Sequence, residues 1–229
     1  IGAMSGTSHD AVDVSILKIE KDITLNFFYS KPIPNSLRTK IKKIIEADSV
    51  TLAELGQLNK KIGYLFAAAI NESIEKAKLK KNKVKCVAIS GQTIRHDVVS
   101  ANPFSTQIGD PNVVSNETGL TTISDFRNMH ISLGGEGAPL VPEFHNELFH
   151  SSRKSKIILN IGGIANYSYI KNKNYFWGSD VGPGNALMDS YCQKYLNKPF
   201  DKDGKIASKG KVDSKELKRL LSHKFFKQK

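Results

Sequence analysis

One plan occurs twice in this chain and limits what it can fold into. A strand leads into a polar, glycine-bearing turn, returns as a second strand, and passes through a tight turn to a third. The first copy reads Ile1-Gly-Ala-Met4, the turn Ser5 to Ala11, Val12 to Ile19, the turn at Lys21-Asp22, and Leu25 to Tyr29. The second reads Ile157 to Asn160, the turn Ile161 to Asn166, Tyr167 to Ile170, the turn Lys171 to Asn174, and Tyr175 to Trp177. Alternating apolar runs bounded by turn formers predict a meander in each place. The repetition is of structure rather than of sequence, and each copy opens a run of helices. It predicts two similar halves facing a shared cleft.

Helical periodicity fills the space between them. Leu37, Ile41, Ile44 and Ile45 share one face, and Thr51-x-x-Glu54 is a capping box that opens a longer helix carrying Leu55, Leu58, Ile62, Leu65, Phe66, Ile70 and Ile74. These stripes are core and carry no chemistry. Val84 to Ile89 predicts a buried strand ending in the polar stretch Ser90 to His96, the place where open α/β sheets put ligands. Arg95 and His96 there suit an anionic substrate, or are ordinary loop residues. Gln107 to Asp110 and Thr121 to Ser124 predict short strands, with a helix at Asn112 to Thr118. Leu133-Gly-Gly-Glu-Gly-Ala-Pro-Leu140 predicts backbone close to a ligand or a second domain, followed by a helix at Val141 to Phe149.

Two stretches carry candidate chemistry. In Ser5-Gly6-Thr7-Ser8-His9-Asp10-Ala11, hydroxyls and backbone donors suit phosphate oxygens, and Asp10 with Asp13 could hold Mg²⁺ directly or through water. A plain hairpin turn is an equally open reading. The loop is not a GxxxxGK[ST] loop, so the strand–loop–helix nucleotide folds are not indicated. In Trp177 to Asp189, the strand is expected to end at Asp180 before a Gly-Pro-Gly turn and an amphipathic helix. Asp180 there either caps the turn or faces the free N–H groups of the helix start as a base. Arg127, beside the Gly-rich stretch, is a candidate clamp for a carboxylate or phosphate.

Charge and cysteine usage narrow the partners. The net charge is +12, yet the lysines gather from Arg38 to Lys43, from Lys76 to Lys85 and after Lys198, away from the glycine turns. That distribution predicts solvated faces that help attract an anion rather than a nucleic-acid patch. No apolar run reaches membrane-spanning length. Cys86 and Cys192 lack metal spacing and read as buried reduced thiols of a cytosolic protein.

Taken in order, Met4-Ser-Gly-Thr-Ser-x-Asp10, Gly91-Gln-Thr-Ile-Arg-His96, Ser124-Asp-Phe-Arg127, Gly134-Gly-x-Gly-Ala-Pro-Leu140, Leu159-Asn-Ile-Gly-Gly-Ile-Ala-Asn166 and Asp180-x-Gly-Pro-Gly-Asn-Ala-Leu-Met-Asp189 resemble the anhydro-N-acetylmuramic acid kinases. The resemblance implies an α/β fold, a ribonuclease H-like domain pair of the sugar kinase/actin superfamily. Residues 1–150 would form the first domain, and 151–229 the beginning of a second, C-terminally truncated one. It implies a bacterial cytoplasmic enzyme that uses ATP and Mg²⁺ to open the anhydro ring of an amino sugar and phosphorylate it during cell-wall recycling. The partners are then the sugar and ATP, with no nucleic acid or membrane, and with a homodimer or a separate C-terminal fragment open. An inactive remnant that only binds sugar or nucleotide is the alternative. By motif, Asp180 is the catalytic base, Gln92 and Arg127 contact substrate, and Asp10 is the Mg²⁺ ligand. Gly6, Thr7, Ser8, His9, Asp10, Ala11, Val12 and Asp13, with Gly162 and Gly163, bind the nucleotide. Ala11 replaces a usual Gly, which tightens the loop if that position needs positive φ. Ser90, His130 and Glu136 also depart from the family pattern.

Overall fold

The computed structural model describes residues 1–227; residues 228 and 229, at the end of the expected second domain, lie outside the described residues. The first meander forms as expected. β1 (Gly2–Ser5), β2 (Ala11–Ile19) and β3 (Ile23–Pro32) pair antiparallel in sequence order. Alternation on β2 sends Val12, Val14 and Ile16 into the core. α1 (Asn35–Glu46) and α2 (Leu52–Lys76) follow. The capping box at α2 is present: Glu54 N–H donates to Thr51 Oγ1 at 3.1 Å, and Thr51 N–H donates to Glu54 Oε2 at 3.2 Å. Leu58, Ile62, Phe66 and Ile70 of α2 join Val12, Val14, Val87 and Ile89 in one core.

β4 (Val87–Asp97) lies parallel to β1, with β5 (Phe104–Ile108) antiparallel beyond it, so the order is β3-β2-β1-β4-β5. β6 (Thr122–Ile123) also pairs parallel with β4. Three antiparallel strands continued by parallel ones on the β1 side make a ribonuclease H-like half. Ser90 to His96, expected as a loop, is strand instead, because β5 supplies a partner for its backbone from Gln92 to Asp97. A bulge at Ser90 and Gly91 (φ +67°) changes the register against β1. α3 (Pro111–Thr118) is followed by α4 (Phe126–Ser132), a short helix that periodicity did not announce, and by α5 (Val141–Phe149).

The second meander is β7 (Lys156–Ile161), β8 (Ile164–Asn172) and β9 (Tyr175–Pro183), in that order in the sheet. β9 runs well past Trp177, so Asp180 lies inside the strand rather than at its end. α6 (Ala186–Leu196) and α7 (Ser214–Leu221) complete the described elements, apart from short 3-10 turns. The chain divides into two compact units. One comprises Ile1–Ile158 with Tyr167–Ser179; the other comprises Leu159–Asn166 with Asp180–Lys229. The large core belongs to the first.

Candidate active site

In the first unit, β1 delivers the chain to the loop Ser5–Asp10, and the pairing of Ser5 with Gln92 on β4 decides what supports it. Gln92 is 1% exposed. Its Oε1 accepts from Ser5 Oγ at 2.7 Å, and its Nε2 donates to Thr93 O at 3.1 Å and Gly6 O at 3.4 Å. A buried amide must be satisfied, and this one is satisfied by the loop itself. Gln92, expected to touch substrate, is thus a brace beneath the turn.

The turn is closed by His9 N–H donating to Gly6 O at 3.2 Å, and Ile33 N–H holds its far side by donating to Asp10 O at 2.8 Å. Thr7, Ser8 and Asp10 remain exposed, and Ser8 Oγ donates to Asp10 Oδ1. A Cβ added at Gly6 would meet only Ser8 Oγ, at 3.9 Å, so there is open space above this backbone. Ala11 begins β2 opposite Pro32, and the left-handed conformation falls on His9 (φ 53°) instead. The expected tightening at Ala11 therefore does not arise. Val12 is fully buried and can offer a ligand only its backbone, while Asp13 is partly exposed. Burial pushes the His9 imidazole below its usual range; Lys42 and Arg38 push the same way, and a hydrogen bond to Gln92 and the Asp10 charge oppose them.

Arg127 sits on α4 and donates from Nη1 to Gly137 O at 2.8 Å. His130, one turn on, accepts at Nδ1 from Gly137 N–H at 3.0 Å, and a Cβ at Gly135 would overlap its ring. The Gly-rich stretch is therefore drawn against α4 by two side chains, and its glycines make room for the His130 ring. Asn128 extends the network: Oδ1 accepts from Ser105 N–H at 2.9 Å and Nδ2 donates to Asp125 Oδ1 at 2.7 Å. His96, expected to be open to an anion, is committed through Nδ1 to Ser105 Oγ at 3.0 Å. Asn128 and Ser105 had no periodic or motif signal of their own.

In the second unit, Asp180 is an exposed residue of β9. The turn between β7 and β8 presents carbonyls, not donors, to the start of α6. Gly163 O accepts from the N–H groups of Gly184 at 2.9 Å and Ala186 at 3.2 Å, and Gly162 O accepts from Asn185 N–H at 2.7 Å. These helix-start donors, expected to face the reaction centre, are spent on the turn. The predicted residues thus fall into two sets. Gly6 to Asp13, Gln92 and Arg127 belong to the first unit; Gly162, Gly163 and Asp180 belong to the second. Among the described residues there is no cluster of three or more His, Cys, Asp or Glu suited to a metal ion, and no helix long and apolar enough to cross a membrane.

A polar loop on the end of β1, braced from the neighbouring parallel strand, thus stands on the mixed sheet of an α/β protein. A family model described as anhydro-N-acetylmuramic acid kinase matches residues 1–229. The chain belongs to that family. It is 62% identical over 229 residues to an anhydro-N-acetylmuramic acid kinase of Gamma-proteobacterium EBAC31A08, covering all of this chain and 63% of that one. It is 40% identical over 227 residues to that of Vibrio cholerae serotype O1, covering 99% and 61%. The chain thus spans less than two thirds of the length of the curated relatives it matches. Among solved structures, a ROK hexokinase from Thermus thermophilus aligns with 99% of this chain and 70% of its own, at 11% identity and a TM-score of 0.35.

Proposed function

We propose that this chain carries the phosphate loop and the water-activating carboxylate of an ATP-dependent kinase acting on 1,6-anhydro-N-acetylmuramic acid. The product is N-acetylmuramic acid 6-phosphate, formed in bacterial cytoplasm during cell-wall recycling. Residues 1–150 are read as the first ribonuclease H-like domain and 151–229 as the opening of the second. One observation carries the reading: an exposed hydroxyl-rich turn, Thr7 to Asp10, stands on the buried amide of Gln92, in a chain matched throughout by the kinase family.

The residues suit the chemistry. Backbone N–H groups and hydroxyls of Gly6 to Asp10 orient phosphate oxygens, and the open space over Gly6 lets them approach. Asp10 and Asp13 offer hard carboxylate oxygens, and Mg²⁺ in phosphate sites is held by one or two carboxylates together with phosphates and water. When bound, ATP supplies the phosphoryl group and Mg²⁺ offsets its charge. Asp180 accepts a proton from the water that adds at the anomeric carbon. The bridging carbon–oxygen bond then breaks, and the oxygen released at position 6 would take the γ-phosphoryl group of ATP, with ADP as the leaving group. Arg127 serves as a substrate contact of the loop it holds, and Gln92 acts through the turn it braces.

The test is to incubate the chain with ATP, Mg²⁺ and the anhydro sugar, alone and with the separately expressed unmatched portion of the 62%-identical relative, and to detect phosphosugar by mass. Asp180→Asn is expected to lower turnover by about two to four orders of magnitude. Phosphosugar absent from both preparations, or undiminished in the variant, overturns the reading.

A further inference from the structure

We propose that Arg38 and Lys42 of α1 form a phosphate clamp for the turn Gly6–Asp10, holding the triphosphate of the nucleotide with the cations that the turn itself lacks. The inference rests on reading that turn as the phosphate loop. From Ser5 to Leu17 the chain has no lysine or arginine, while Asp10 and Asp13 are acids. His9 does not make up the deficit, because burial is the main influence holding its imidazole toward the neutral form. A triphosphate brought to hydroxyls and backbone donors beside two carboxylates therefore gains from a positive group on another element.

α1 is that element. Ile33 N–H, just before the helix, donates to Asp10 O at 2.8 Å and ties the helix start to the turn. Arg38 and Lys42 are four residues apart and so share one face of α1. The charges of both reach the His9 imidazole, which tells where that face looks. Arg38 is partly buried, and its Nε is enclosed without a hydrogen-bond partner; His9 Nδ1 on the turn is in the same condition. A buried guanidinium donor without an acceptor is costly to keep, and an oxyanion is the acceptor that fits it. Neither cation is spent on an acid: among the described residues no carboxylate lies within 4.0 Å of either, and the first turn of α1 holds none. The planar guanidinium can take two phosphate oxygens at once, and the more exposed Lys42 adds a point charge.

The experiment is calorimetric titration of the full 229-residue chain with inorganic triphosphate, ATP and the anhydro sugar, each by itself. Arg38→Gln with Lys42→Gln should lower triphosphate and ATP affinity at least tenfold and leave sugar affinity unchanged. Arg38→Lys keeps the charge but not the paired donors, so it should lose affinity by a smaller factor. Lys83→Gln with Lys85→Gln removes the same charge just before β4, at the far end of the β1–β4 pair from the turn, and should bind triphosphate as the parent does. Circular dichroism checks that each variant keeps its fold. No triphosphate binding by the parent, an equal loss in the Lys83 and Lys85 variant, or a loss confined to the sugar each overturns the inference. Triphosphate affinity that falls in Gly6→Ala but not in the Arg38 and Lys42 variant sinks the clamp and leaves the phosphate loop standing. Affinity that falls in neither sinks both.

Discussion

A Cβ added at Gly184 would overlap the carbonyl oxygen of Gly162, the same oxygen that accepts from Asn185 N–H at 2.7 Å. The turn after β7 and the start of α6 thus meet backbone to backbone, with no room for a side chain between them. Gly184→Ala must push one segment off the other, and overpacking of this kind costs roughly 1–3 kcal/mol. Chemical denaturation followed by near-ultraviolet circular dichroism checks it; an unchanged midpoint contradicts the geometry.

Gly6→Ala is expected to behave in the opposite way. The added methyl meets only Ser8 Oγ at 3.9 Å, and φ there is not left-handed, so stability should stay within about 0.5 kcal/mol of the parent. The same methyl stands where a phosphate must approach. ATP–Mg²⁺ affinity, read by calorimetry on the chain, should fall at least tenfold. A large stability loss, or unchanged affinity, contradicts this account.

Gln92→Leu tests the brace. It leaves Ser5 Oγ and Gly6 O without their buried partner, and an unsatisfied buried group costs about 1–3 kcal/mol. The expected signature is a lower denaturation midpoint together with faster amide exchange from Gly6 to Asp10. Destabilisation with no change in loop exchange would mean that the amide supports the sheet but not the turn.

Asp110 links α2 to α3 without touching the site. Its side chain caps α3 by accepting from Asn112 N–H at 2.8 Å, and it pairs with Lys60 Nζ at 2.7 Å. The Lys60 hydrogen bond is the main reason its carboxyl is held below the usual value. Asp110→Ala should cost about 0.5–2 kcal/mol, mostly through the cap, since the Lys60 end of the pair is well exposed. Lys60→Met should cost less than half as much in the same denaturation experiment. Equal losses would assign the energy to the ion pair.

What the sequence made legible follows the range of the physics. The meanders, the capping box at Thr51 and the helix at Val141–Phe149 depend on neighbours in the chain, and each was readable from alternation, spacing or turn residues. The polar stretch Ser90 to His96 reads as a loop because β5, which gives it strand hydrogen bonds, is reached through a connection and leaves no mark on the stretch itself. β9 is longer than its sequence suggests because Gly178 and Gly182 look like turn residues. Gly178 is instead a close approach: a Cβ there would lie 2.5 Å from Pro142 Cγ and 2.7 Å from Tyr167 O. For the site, the hydroxyl loop at Gly6 to Asp10 stood out by composition. That Gln92 faces into that loop, and that Arg127 and His130 hold Gly137, are tertiary facts that residue spacing does not encode.

The pH dependence of stability should descend in two stages, and the signs can be worked out group by group. Burial lowers the pKa of His9, with Lys42 and Arg38 of α1 adding to it and Gln92 and Asp10 opposing; burial alone lowers that of His145, whose Nδ1 lies 2.9 Å from Ser168 Oγ. The unfolded chain therefore binds protons at these histidines first as pH drops through the ordinary value of 6.5, and stability falls until the folded-state groups also titrate. Glu72, held low mainly by Lys31 and then by Tyr29, and Asp110, held low mainly by Lys60, contribute stability that is present above their ordinary values of 4.5 and 3.8. That contribution is lost only as pH falls further, through their folded-state values. Urea midpoints measured from pH 8 to pH 3 should thus begin to decline near pH 6.5 and decline again below about 4.5. His9→Asn, which tolerates the left-handed backbone at that position, combined with His145→Gln should remove the first decline and leave the second. A double variant that still loses stability between pH 7 and pH 5.5 as the parent does would place the titrating groups elsewhere.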